Sequence, residues 1–85
     1  MRIKEKMTDV LSLPKEIALN LPMISATGQE EIYIENYKKL VEFTETKIRI
    51  HTSIGMLTIE GQRLRLGQIT TEHILIIGTI KSTQW

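Results

Sequence analysis

The apolar residues of this chain change their spacing once, near residue 22. Before that point, Ile3, Met7, Val10 and Leu11 fall at the i, i+4, i+7, i+8 positions of one helix face, and Arg2, Lys4, Glu5, Lys6 and Asp9 lie mostly away from it. The spacing predicts a short amphipathic helix that ends before Pro14, because the residue preceding a proline is pushed out of the α region. Ile17, Leu19 and Leu21 then alternate with polar or small residues in an extended arm closed by Pro22. A helix this short is marginal alone and needs a surface to pack on. Lidding the sheet of its own domain is the simpler role, and docking on a membrane surface or partner is the alternative.

From Met23 onward the period is two. The pattern predicts strands over Met23–Thr27, Glu31–Glu35, Leu40–Phe43, Lys47–Thr52, Met56–Glu60, Arg63–Leu66 and Ile74–Ile80, separated by turn residues. Gly28, Gly55, Gly61 and Gly67 fall between these strands. Gly78 falls inside one, where glycine marks a bulge or a close backbone approach. The expected fold is therefore mainly β: an antiparallel meander or small sandwich or stacked-strand domain with one N-terminal helix. It forms a single domain over 1–85, with a helix and arm in 1–22 and a β-rich body in 23–85.

Two hairpins are predicted in detail. Gly61-Gln62 suits a two-residue type II′ loop, which puts Glu60 opposite Arg63, Ile59 opposite Leu64 and Leu57 opposite Leu66. Upstream, Ser53-Ile54-Gly55 fits a three-residue loop with Gly55 in the left-handed position. Ile48 and Ile50 would join Leu57, Ile59, Leu64 and Leu66 on one core face. The last strand is apolar on both faces, since Ile74, Ile76 and Ile80 alternate with Leu75, Ile77 and Thr79. Such a strand is covered on both sides or invites another chain. Leu75 and Ile77, with the helix face Ile3, Met7, Val10 and Leu11, are the candidate contact residues, and a homo-oligomer is one expected consequence.

Composition narrows the function. The 85 residues carry eleven Lys and Arg against ten Asp and Glu, so no overall basic excess points to capture of nucleic acid. With no cysteine there is neither a disulfide staple nor a thiolate metal site, which suits a reducing, cytoplasmic setting. No apolar run has the length of a transmembrane helix or the form of a signal-peptide core. His51 and His73 lack a second ligand at metal-binding spacing, and Glu30 and Glu31 read as a solvated strand start. Ser12, Ser25, Ser53 and Ser82 lack the context of a nucleophile, and no glycine-rich phosphate loop occurs. No enzyme activity and no cofactor are expected. One basic feature stands out: Lys47, Arg49 and His51 on one strand, and Arg63 and Arg65 on another, should share the outer face of one sheet. They define the alternative, a nucleic-acid-binding or regulatory β module. Glu60 between them and the lack of exposed aromatics favour charge pairing across a solvated face instead.

The run from Leu11 to Pro22 (LSLPKEIALNLP) resembles the opening of the YabP/YqfC family of sporulation proteins, the YqfC branch in particular. Ile32-Tyr33-Ile34-Glu35-Asn36-Tyr37, Ile48-Arg49-Ile50-His51 and Gly55-Met56-Leu57-Thr58-Ile59-Glu60-Gly61 are similar to its body in order and spacing. The resemblance spans about Leu11 to Ile80. It implies a non-enzymatic protein of the mother cell in endospore formation, cytoplasmic and acting at the forespore surface. YqfC-like genes commonly lie beside one for YqfD, a larger membrane protein. The resemblance therefore also implies a YqfD-like protein partner, with any membrane contact made indirectly through it.

Overall fold

The computed structural model describes residues 20–85; the proposed helix and most of the arm lie outside them. Six strands form one antiparallel sheet: β1 (Met23–Thr27), β2 (Glu31–Glu35), β3 (Lys39–Phe43), β4 (Lys47–Thr52), β5 (Gly55–Ile69) and β6 (His73–Gln84). Their order across the sheet is β1-β2-β6-β5-β4-β3. Four strands match the predicted ones closely. The last, β6, runs on to Gln84 rather than stopping at Ile80.

This sheet is not flat. β2 and β3 are four positions apart, which in a flat sheet means about 19 Å. The chain from Glu35 to Lys39 spans at most about 14 Å when fully extended. The sheet must therefore curl until β2 and β3 lie near each other, and β5 and β6, the two long strands, carry the bend. One layer holds β1, β2, the start of β6 and the end of β5. The other holds β3, β4, the start of β5 and the end of β6. Between them lies one core of nine buried residues: Ile32, Ile34, Ile48, Ile50, Leu57, Ile59, Leu64, Ile74 and Ile76. Seven of the nine are Ile, whose branched Cβ suits the pleated inner faces. The open alternatives thus resolve to a sandwich-like fold made by one folded sheet.

The Gly61-Gln62 hairpin does not form. Residues 55–69 are one strand, and Gly61 and Gln62 pair with Ile80 and Thr79 of β6. The physical reason is parity. In an unbroken strand Ile59 and Leu64, five residues apart, would point to opposite faces. A shift in pairing between Gln62 and Arg65, with Arg63 at φ 54°, inserts the extra residue that brings both inward. A two-residue turn would produce the same inward pattern, so alternation alone does not separate the two. The long strand wins because it pairs with both β4 and β6. The bend is fastened by the Gly61 amide donating to the Thr46 carbonyl (3.1 Å) and the Leu64 amide donating to the Glu45 carbonyl (2.8 Å). Gly67, also expected between strands, lies within β5.

A hairpin does form after Thr52, but its loop is two residues, Ser53-Ile54, rather than three: Thr52 pairs with Gly55, which opens β5 instead of closing the loop. Neither loop residue has a positive φ; Gly55 carries it, at 135°. Thr52 is the one buried polar side chain among the described residues. Its hydroxyl donates to the Gly55 carbonyl (2.8 Å) and accepts from the Ile54 amide (3.2 Å). Thr52→Val should therefore lower stability by about 1 kcal/mol, because a side chain of the same shape makes neither of these hydrogen bonds. Urea unfolding should show the loss as a lower midpoint at unchanged slope.

Candidate interaction surface

The outer face of the first layer is built by three strands in register. Glu31 of β2, Ile77 of β6 and Arg65 of β5 stand in one cross-strand row; Tyr33, Leu75 and Gln68 stand in the next; Glu35 and His73 follow. Ile74 and Ile76 point inward and are fully buried, whereas Leu75 and Ile77 are half-buried on this outer side. The expectation of a strand apolar on both faces holds, and the core covers only one of them. Gly67 sits beside the patch, and a side chain there would collide with Ile77, whose Cδ1 would lie 2.5 Å from an added Cβ. The glycine thus lets Ile77 lie flat across β5.

Polar groups rim the patch. The rings of Tyr33 and His73 are tilted against each other with centroids 5.2 Å apart, and His73 Nε2 is 3.0 Å from Gln68 Oε1. The Tyr33 hydroxyl donates to Glu35 Oε2 (3.1 Å). Partial desolvation on the sheet face holds this phenol above its ordinary range. The hydrogen bond to Glu35 and the charges of Glu35 and Glu72 push the same way. The chain gives no sign that Glu31, a solvated strand start by its pattern, Tyr33 and Gly67 border this patch, beyond the strict alternation in Glu31–Glu35 that puts the first two on one face.

The four cations of the alternative basic face do not share a face. Lys47 and Arg49 lie on the outer side of the second layer, facing Glu60 (3.9 Å) and Glu42 (3.7 Å). Both pairs are about half exposed, so each contributes at most about 1 kcal/mol. His51 is exposed on that same side. Arg63 is at the bend and Arg65 belongs to the first layer. The hairpin that would have aligned them is absent, and the structure scatters the group. Ile3, Met7, Val10 and Leu11 lie outside the described residues.

Among the described residues, no three His, Asp or Glu side chains gather as a metal site, and no helix is long and apolar enough to cross a membrane. An open hollow of about 440 Å³, lined by Thr27, Gly28, Gln29, Glu30 and Thr79, brings in a single carboxylate. Folded sheet and outer patch together define a small two-layer antiparallel β module with an apolar strip, rimmed by charged and polar groups, on one outer face.

The chain belongs to the YabP family, whose model matches residues 20–85, all of the described fold. It is 35% identical over 79 residues to the uncharacterized protein YqfC of Bacillus subtilis (strain 168), covering 93% of this chain and 85% of that protein.

Proposed function

We propose that this protein is a non-enzymatic structural or adaptor component of endospore formation, working through protein–protein contacts in the cytoplasm of the mother cell. The observation that carries the reading is the outer face of β6. Leu75 and Ile77 form an apolar strip that the domain's own core leaves uncovered, and polar side chains edge it on both sides. Apolar centres with polar rims are how proteins contact one another. The process comes from family membership and from the resemblance to sporulation proteins. The partner is a second copy, a YqfD-like membrane protein at the forespore surface, or both in turn.

The test is deletion of the gene in its sporulating host, with a fluorescent fusion to follow location. Heat-resistant spores should fall sharply, and the fusion should gather around the forespore. Normal spore yield with diffuse signal in growing cells would remove the reading.

A further inference from the structure

The charges around the Leu75–Ile77 strip are arranged to fit a copy of themselves. In the row through Ile77, the carboxylate of Glu31 stands on one side and the guanidinium of Arg65 on the other. They are two strand spacings apart, about 10 Å, with Ile77 between, too far to pair within one molecule. Neither has an ion-pair partner among the described residues. In the next row Tyr33 and Gln68 flank Leu75 in the same way.

From this geometry we infer that the outer face of the first layer pairs with the same face of a second copy, about a two-fold axis lying along β6. This rests on the reading of the chain as a contact protein and names the partner and the surface. Rotation about such an axis keeps each row at its own level and exchanges the two flanks. Ile77 and Leu75 meet their own counterparts at the centre. β2 of each copy lies over β5 of the other, so Glu31 faces Arg65 twice and Tyr33 faces Gln68 twice. Strands of the two layers stay nearly aligned, the ordinary geometry of sheet-on-sheet packing. A contact of this kind is isologous and closes as a dimer.

The same charges reject the other face-to-face arrangement. A two-fold axis running across the strands would lay Glu31 over Glu35, two carboxylates in opposition. The edges of the sheet offer a further competitor. β1 is an edge strand with unbroken register and no charged residue, and edges of that kind pair with other chains. Edge pairing through β1 would leave Glu31 and Arg65 without a role. The charge pattern favours the face.

The pairing area is modest. Three strands by five residues give roughly 240 Å² per copy, well short of the roughly 800 Å² per partner of a standard interface. A contact this small makes a weak, readily dissociating dimer.

Sedimentation equilibrium of the full chain between about 10 μM and 1 mM tests this. Wild type should move from monomer to dimer across that range. Glu31→Arg and Arg65→Glu should each weaken the dimer at least about tenfold, since each substitution creates two like-charge oppositions. The double variant Glu31→Arg/Arg65→Glu should return to within about threefold of wild type, which a merely misfolded single variant would not do. A dimer indifferent to these reversals overturns the proposal and points to the β1 edge. Monomer at every concentration also overturns it, and leaves the sporulation reading to be decided by the spore-yield assay alone.

Discussion

Replacing Gly78 or Gly61 with alanine should lower the melting temperature by about 12–24 °C, the largest effect expected from removing no contact at all. Both glycines sit where β5 and β6 bend together. A Cβ on Gly78 would lie 2.7 Å from the Arg63 carbonyl oxygen and 2.9 Å from the Leu64 Cα, and φ there is 152°. A Cβ on Gly61 would collide with the Thr79 carbonyl oxygen across the ladder. The obstacles are backbone atoms on a paired strand, so no rotamer change relieves them. Strain at a disfavoured φ and overpacking each cost about 1–3 kcal/mol, so about 3 kcal/mol is expected for Gly78→Ala. In a domain this small each kcal/mol moves the midpoint by about 4–8 °C. Gln62→Ala, one residue from Gly61 but exposed, should move it by only a few degrees. Thermal unfolding followed by circular dichroism decides the matter. A Gly78→Ala protein melting with wild type would mean that β5 and β6 do not approach at this point.

Lysine at neighbouring positions of β6 should give opposite outcomes. Ile76→Lys should abolish folding, because position 76 is fully buried in the shared core and offers an ammonium no partner. Ile77→Lys should fold, at a cost of about 1 kcal/mol for the lost apolar contact, because its side chain lies on the outer face beside Gly67. Far-UV spectra and urea midpoints of the two variants would separate them. Equal loss of structure in both would show that the outer strip is core, and the contact role would go with it. If Ile77→Lys folds but no longer associates, stability and contact have been separated on one strand, one residue apart.

That contrast was half visible in the chain. The alternation in Ile74–Ile80 announced a strand apolar on both sides, and the pairing of Ile74 and Ile76 with Ile34 and Ile32 made one side core. Which cover the other side receives is a question of surfaces, and surfaces follow from the arrangement of strands rather than from one strand's pattern. The basic residues illustrate the same limit. Lys47, Arg49 and Arg65 are each on an outer face, as alternation requires, yet the bend in β5 sends Arg65 to a different layer from the other two. Conversely, Glu31 and Arg65 are far apart in the chain and share a row only because β6 lies between β2 and β5.

The sequence by itself determined the β class, four strand positions nearly to the residue, a tight turn after Thr52 and five of the nine core residues (Ile48, Ile50, Leu57, Ile59 and Leu64), because period-two burial is a local property written along each strand. Tertiary structure alone decided that residues 55–69 are one bent strand, that the sheet folds on itself into two layers, and which charges become neighbours. A two-residue turn and a bulge shift side-chain parity alike, so the local pattern around Gly61 fits either. The choice came from pairing with β4 and β6, partners distant in sequence whose hydrogen bonds no single segment encodes.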